Sequence, residues 1–168
     1  MGLDSSSMQN VDPALPARLE EIVNLFQNLP EEEKRELLIA YSDRTNECSP
    51  KEGETFTLSD IRKDEECTDS VGVFLKADSD NRLLFRMSLG SHVQTLTRAM
   101  ASILCQGLAG STAEEVMAVP SGFVPKIVGT ELVRQRSQTV YYILARMKSA
   151  CRQLVAERRR ANLASSTS

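Results

Sequence analysis

The chain has 168 residues, of which 41% are hydrophobic and 26% charged, so its length and composition suit one folded domain of ordinary size. The formal net charge of -3 argues against general binding to nucleic acid or to an anionic membrane. No apolar run approaches the roughly 18 residues that a membrane span requires, and the N-terminus carries no export signal. We therefore expect a soluble cytoplasmic protein without nucleic-acid or membrane partners.

The N-terminal third of the sequence predicts a tail, two helices and a loop. Residues 1–12 are small and polar, which favours a disordered tail. Apolar residues at helical spacing predict a first helix over about 13–28. A second helix runs from Pro30 to Asp43, with three glutamates in its first turn. Residues 44–63 show little periodicity, so we expect a long loop with one short extended piece at 56–58.

The middle of the chain predicts a β-hairpin. Residues 71–76 place Val71, Val73 and Leu75 in alternation with other side chains, and residues 83–89 alternate in the same way. The connector "DSDN" is polar and short, as in a tight turn between antiparallel strands. Because an isolated hairpin is marginally stable in water, we expect a third strand or a covering helix.

The C-terminal half predicts helices. One helix follows Ser91 and ends near "GLAG", and Ser111 with Glu114 has the spacing of a capping box for a short helix through Ala118. Residues 121–128 suit another helical turn or two. The last helix is predicted from Glu131 to Arg158, followed by a disordered tail over 159–168. The order predicts an α+β fold, with a small antiparallel sheet of about three strands packed against several helices in one domain over 13–158.

The four cysteines are far apart in the sequence and form no Cys-x-x-Cys pair. This spacing argues against a metal site, and the absence of an export signal argues against a disulfide framework, so we expect no metal and no cofactor. Cys105 and Cys151 lie on or beside apolar helical stripes and are predicted to be buried as small hydrophobic residues. Cys48 lies in a polar loop, where its simplest interpretation is an exposed thiol.

Cys67 differs from the other thiols because it directly precedes a predicted strand in an acidic segment. The surrounding carboxylates should raise its pKa and reduce its thiolate fraction, which disfavours a Cys–His hydrolase. The single histidine, His92, follows the hairpin, so the hairpin geometry predicts that Cys67 and His92 lie close together. The alternatives at this stage are an incidental loop cysteine and a partly exposed histidine at a helix start.

Two long segments of the C-terminal half resemble the SufE family, which accepts sulfur from cysteine desulfurases in iron–sulfur cluster assembly. They are "SHVQTLTRAMASILCQGLAGSTAEEVMAVP" and "LVRQRSQTVYYILARMKSA". The layout of two helices, a loop, a cysteine before a hairpin and an Arg-Ser pair near the start of the last helix is similar as well. The resemblance extends over roughly 14–158 and implies a SufE/IscU-like version of the α+β fold.

The family resemblance implies roles for three residues. Cys67 would be the persulfide acceptor, His92 a proton acceptor, and Arg136 a contact to a loop carboxylate or to the partner. The implied partner is a cysteine desulfurase, which is a pyridoxal-phosphate enzyme, with a cluster-assembly scaffold as a second partner. The motif "ECTDSVG" keeps only Cys67 and Val71 of the family pattern, with Gly72 at the aromatic position.

Three alternative functions remain at the sequence level. A binding or regulatory module of the same fold could recognise a desulfurase or another partner without transferring sulfur. A cluster scaffold would require further ligands near Cys67. A free-standing thiol hydrolase would require an oriented imidazole and an oxyanion hole, for which the sequence has no signature.

Overall fold

The computed structural model describes residues 15–63 and 70–166, apart from the side chains of residues 62 and 63. Three strands and six α-helices occur within these ranges, with two short 3-10 helices over Thr45–Cys48 and Ser121–Phe123. In chain order the elements are α1 Ala17–Gln27, α2 Glu31–Asp43, β1 Leu58–Lys63, β2 Ser70–Ala77, β3 Leu83–Leu89, α3 Thr95–Gly107, α4 Ala113–Met117, α5 Val124–Val128 and α6 Thr130–Ser166. The predicted α+β class is confirmed.

The predicted hairpin is the centre of the sheet, whose strand order is β1-β2-β3 with antiparallel pairing throughout. Its turn is closed by Asp78, whose carboxylate accepts hydrogen bonds from the backbone N–H groups of Asp80 and Arg82 at 2.9 and 3.0 Å. Asn81 adopts a positive φ of 60°, which asparagine tolerates better than most residues. The polar connector therefore fixes the register of β2 against β3.

The structure corrects the prediction for residues 44–63. Instead of a loop with a short extended piece at 56–58, the segment contains the 3-10 helix Thr45–Cys48 and the six-residue strand β1, which pairs with β2. The 3-10 helix also buries Cys48, which we expected to be exposed. Both elements depend on contacts with parts of the chain that are distant in sequence.

The two faces of the sheet are covered differently. On the inner face, alternating apolar residues of β2 and β3 enter the core that the helices close. On the outer face, the segment before β1 folds over the strands: Phe56 packs on Phe74 with ring centroids 5.1 Å apart, and Glu54 forms ion pairs with Lys76 and Arg86 at 2.7 and 3.2 Å. The sheet is therefore enclosed by helices on one side and by a polar-aromatic segment on the other.

Helix α3 is the central helix of the fold, because α1, α2, α6 and β3 all pack against it. At Gly107 a Cβ atom would lie 2.8 Å from a methyl carbon of Leu19, so glycine permits the close approach of α1. The short helix α4 begins one residue later than predicted: its N-cap is Thr112, whose hydroxyl accepts from Glu115 N, and not Ser111. The carbonyl of Ser111 instead accepts from Leu83 N at 2.8 Å.

The last helix is longer than predicted. It extends from Thr130 to Ser166, so residues 159–166, which we expected in a disordered tail, are helical. The predicted N-terminal tail, residues 1–12, lies outside the described residues. No helix in the described part of the chain is both long and apolar enough to cross a membrane.

Candidate functional site

The start of β2, which follows the undescribed residues 64–69, lies beside the turn that carries His92. Cys67 lies outside the described residues, but the strands on either side of it are defined: Lys63 pairs with Ser70 in the β1–β2 ladder. On the other side of β2, Gly90 N donates to Ser70 O at 3.0 Å. The residue that begins β2 therefore lies directly beside the residue that precedes Ser91 and His92.

His92 is exposed in a tight turn between β3 and α3. The turn is closed by a backbone hydrogen bond from Val93 N to Gly90 O at 3.3 Å. Arg98, in the first turn of α3, reaches back to it: its Nε donates to Val93 O at 3.2 Å and its Nη2 donates to Gly90 O at 3.0 Å. Arg98 therefore fixes the backbone that presents His92, a role that the sequence analysis did not assign.

Arg136 lies at a kink in the last helix. Its backbone departs from helical geometry, with φ -132° and ψ 36°, and its side chain is exposed. The guanidinium Nη1 donates to the side-chain oxygen of Gln94 at 3.1 Å. Because Gln94 is two residues after His92, this bond brings the kink of α6 to the same end of the sheet.

Arg146 is the important residue at this end that the sequence analysis missed. It is only 4% exposed, and its Nη2 donates to the backbone carbonyls of Asp60 and Val71, both at 3.0 Å. The carboxylate of Asp60 lies 3.8 Å away, and Nη1 donates to the hydroxyl of Tyr142 at 3.1 Å. A single guanidinium thus joins α6 to β1 and to the beginning of β2.

A weak signal for Arg146 was present in the sequence. Tyr142 and Arg146 are four residues apart, a spacing that places them on one face of a helix, and the structure puts the guanidinium 5.8 Å from the tyrosine ring centroid. Arg146 also interrupts the apolar seam between Leu144 and Met147. The acceptors on β1 and β2 are too distant in sequence for any local pattern to indicate them.

The structure thus brings together two of the three residues predicted for the site. The turn containing His92 and the kink containing Arg136 meet through Gln94, beside the start of β2. The place of Cys67 in this arrangement stays a prediction. The sites of the other thiols are defined: Cys48, Cys105 and Cys151 are all buried.

A family model described as the SufE, Fe-S metabolism associated domain matches residues 20–151, which is most of the chain. The chain belongs to the SufE family. Two relatives from Mycobacterium tuberculosis strains CDC 1551 and H37Rv are named uncharacterized SufE-like proteins; each is 28% identical over 141 residues, covering 83% of this chain and 95% of the relative. The predicted resemblance is confirmed, and it associates the protein with iron–sulfur metabolism.

Two solved structures share the SufE-type fold. A hypothetical protein from Thermus thermophilus has a TM-score of 0.63 at 22% identity and covers 85% of this chain and 99% of its own. The N-terminal part of a nitrogen-fixing NifU-like protein from Brucella abortus has a TM-score of 0.55 at 18% identity, covering 71% of this chain and 92% of its own. At these identities the likeness concerns the fold alone.

Proposed function

We propose that this SufE-family protein takes persulfide sulfur from a cysteine desulfurase on Cys67 and passes it to iron–sulfur cluster assembly. It would act in the cytoplasm as an accessory transfer protein and not as an enzyme in its own right. The observation that carries the proposal is the bond between Ser70 and Gly90, which joins the strand after Cys67 to the turn of His92. Membership in a family associated with iron–sulfur metabolism supports it.

The transfer step moves one sulfur atom without net oxidation. The Cys67 thiolate attacks the terminal sulfur of the desulfurase persulfide, a new S–S bond forms, and the old S–S bond breaks. The desulfurase thiolate leaves and takes up a proton, and Cys67 carries the persulfide. Such exchange is efficient when the attacking thiol has a pKa near the ambient pH, so it does not require a strongly acidic thiol.

His92 is the proposed acceptor of the Cys67 proton. Cys67 is three residues before Ser70, and three residues span at most about 11 Å, so the thiol is within reach of the turn beside Ser70. A neutral imidazole can accept the proton directly or through one water molecule. The two bonds from Arg98 hold the backbone of this turn in place.

Arg136 is the proposed contact to a carboxylate of the 64–69 segment or of the desulfurase. A guanidinium has five N–H donors, and the bond to Gln94 uses one of them. Forked bonds to carboxylates are stronger than neutral hydrogen bonds, so this exposed side chain suits the recognition of an acidic partner surface. The acidic residues around Cys67 would in turn be neutralised by basic groups of the desulfurase on docking.

The proposal is tested by incubating the protein with a cysteine desulfurase and cysteine, then measuring peptide masses. We expect one additional sulfur on the peptide containing Cys67. Desulfurase turnover should be stimulated by the intact protein and by Cys48→Ser, and Cys67→Ser should remove the stimulation. Equal stimulation by all three proteins would refute the assignment of Cys67.

A second pair of variants tests the role of Arg136. Arg136→Ala should lower the rate of Cys67 labelling at limiting desulfurase about tenfold, as expected for a lost charge-assisted contact. Arg134→Ala is the matched control, because Arg134 is exposed on the same part of α6 and pairs with Glu131 at 3.6 Å. The same loss in both variants would point to general charge and not to a contact of Arg136.

The second candidate function is a binding or regulatory module that recognises a desulfurase or another partner without accepting sulfur. It is favoured by the altered motif after Cys67, in which Gly72 stands at the aromatic position. A Cβ atom on Gly72 would contact the side chain of Ser88 and lie 2.9 Å from the Phe74 ring. Tight binding of the desulfurase without labelling of Cys67 would support this function over sulfur transfer.

A further inference from the structure

Cys48 and Cys105 lie close to the C-terminal end of α3, away from the turn of His92. The 3-10 helix Thr45–Cys48 lies along this helix, with the hydroxyl of Thr45 3.5 Å from the carbonyl of Arg98. Ser102 and Cys105 are three residues apart on one side of α3, and both interact with the thiol of Cys48. Cys48 and Cys105, two buried cysteines from distant parts of the chain, line the same cavity.

The surroundings of Cys48 stabilise a thiolate. The Cys105 thiol and the Ser102 hydroxyl donate hydrogen bonds to it, and together with the nearby Arg86 guanidinium they lower the pKa of Cys48 to about 7, although burial opposes the shift. The amide of Gln106 donates to the oxygen of Ser102 at 3.4 Å.

Cys105 has the opposite character. Its interaction with Cys48 and its burial raise the pKa of Cys105 well above the ordinary value of a thiol. At pH 7 about half of the Cys48 thiol is therefore ionised while Cys105 keeps its proton, so the first proton that the pair loses leaves from Cys48. This division of roles is typical of an attacking thiol and a resolving thiol.

The pair also adjoins an open cavity. The space has a volume of about 430 Å³, and both sulfur-bearing residues line it together with Arg18, Arg86 and Gln106. A small polar molecule can therefore reach the thiolate, even though Cys48 exposes only 4% of its surface. The narrow exposure favours a small oxidant over another protein.

We propose that Cys48 and Cys105 form a redox-active dithiol that reduces small hydroperoxides entering this cavity and closes into a disulfide. In the first step the Cys48 thiolate attacks the peroxide oxygen, an S–O bond forms and the O–O bond breaks. The departing alkoxide or hydroxide takes up a proton, and Cys48 becomes a sulfenic acid. This site is independent of the sulfur transfer proposed at Cys67.

In the second step the sulfur of Cys105 attacks the sulfur of Cys48. An S–S bond forms, the S–O bond breaks, and hydroxide leaves as water with the proton from Cys105. The dithiol has then lost two electrons to the peroxide, and an external dithiol restores it by exchange. Cys105 lines the same cavity as Cys48, so the second thiol is present where the sulfenic acid forms.

The test uses the full chain with Cys67→Ser, so that the thiol at position 67 does not exchange. After addition of one equivalent of hydrogen peroxide, non-reducing peptide mapping should show Cys48 and Cys105 joined, with the loss of two hydrogen atoms and reversal by dithiothreitol. Adding Cys48→Ser should abolish the cross-link. Adding Cys105→Ser should leave a sulfenic acid on Cys48 that dimedone traps.

Cys151→Ser is the matched control, because Cys151 is buried on α6 and burial, reinforced by Glu114, raises its pKa to about 12. This variant should form the Cys48–Cys105 disulfide as the parent does. Two free thiols after peroxide treatment, or a disulfide that includes Cys151, would overturn the proposal.

A second measurement does not depend on the folding of the variants. In the Cys67→Ser protein the rate of Cys48 alkylation should rise with a midpoint near pH 7. About half of this thiol would then be ionised at pH 7, compared with roughly 3% for an ordinary thiol. A midpoint above about 8.5 would contradict the stabilised thiolate and with it the proposed dithiol chemistry.

Discussion

The two ends of α3 have contrasting environments. At its N-terminal end, His92 and Arg136 are exposed; two hydrogen bonds from Arg98 hold the turn of His92, and one bond to Gln94 holds Arg136. At its C-terminal end, Cys48 is buried among donors from Ser102, Cys105 and Arg86. The groups at the exposed end are thus accessible from solvent, whereas the buried end has its own stabilising groups already in place.

This contrast indicates where each thiol would obtain its reactivity. Cys67 is surrounded in the sequence by Asp64, Glu65, Glu66 and Asp69, whose charges disfavour a thiolate, and under the proposal basic groups of the desulfurase would offset them. Cys48 needs no partner because the fold itself supplies the hydrogen bonds and the positive charge. Variants that disturb one end should therefore leave the chemistry of the other end unchanged.

The largest effect is expected for Arg146→Met, which removes the guanidinium that joins α6 to β1 and β2. Breaking a buried charged network by removing one partner typically costs about 3–5 kcal/mol, so we expect a loss of about 3 kcal/mol in the free energy of unfolding. Urea unfolding measures it, with Arg152→Met as the exposed control on the same helix.

The same variant tests whether the two ends of α3 respond independently. Native-state hydrogen exchange should accelerate in β1 and at the start of β2, while the pH midpoint of Cys48 alkylation should stay where it is in the parent. Equal stability of the Arg146 and Arg152 variants, or a shifted midpoint for Cys48, would show that Arg146 does not act locally.

An intermediate effect is expected for Gly72→Ala, which adds a methyl group on the outer face near the start of β2. The new Cβ would contact the Ser88 side chain and lie 2.9 Å from the Phe74 ring. The Phe74 ring would then have to shift relative to the Phe56 ring that packs on it. Overpacking of this kind costs about 1–3 kcal/mol. Gly122→Ala is the control, because a Cβ there meets nothing within 4 Å; similar unfolding midpoints for both variants would contradict the contact.

The smallest effect is expected for Glu54→Gln, and it depends on pH. Hydrogen bonds from Lys76, from Lys51 N and from Arg86 lower the pKa of Glu54 to about 2. A lowered folded-state pKa contributes stability that is present above the unfolded value of about 4.3 and is lost as the pH falls towards 2.

The variant should therefore show a flatter dependence of stability on pH between about 4.3 and 2 than the parent. Thermal unfolding at a series of pH values measures this dependence, and Glu52→Gln serves as the exposed control from the same segment. A parallel slope for Glu54→Gln and the parent would show that the ion pairs with Lys76 and Arg86 add nothing to stability.

Much of the fold could be predicted because local periodicity determined it. The hairpin and α3 followed from apolar residues at spacings of two and of three to four, which correspond to one face of a strand and one face of a helix. Strand β1 was missed because Asp60, with its buried ion pair to Arg146, stands at an inward position where the pattern requires an apolar residue. No local pattern can show that the partner of Asp60 lies on α6.

The site could be predicted only in part for the same reason. The approach of the His92 turn to the start of β2 followed from the hairpin, whereas the partnership of Cys48 with Cys105 depends on how a 3-10 helix packs on α3. The sequence "TNEC" is polar and has no periodicity that indicates burial. Its burial depends on contacts with α3 that are distant in sequence, and these include the bond from Thr45 to the carbonyl of Arg98.

The length of α3 separates the two sites at which we propose sulfur chemistry. At 1.5 Å per residue, the ten steps from Thr95 to Cys105 separate the two ends of this helix by about 15 Å. Sulfur exchange requires direct contact between the reacting atoms. A persulfide held near the first turn of α3 would therefore be too far from the proposed dithiol to react with it. The two proposed chemistries would thus use separate sulfur atoms, and a desulfurase persulfide bound near the first turn of α3 would not exchange directly with Cys48 or Cys105.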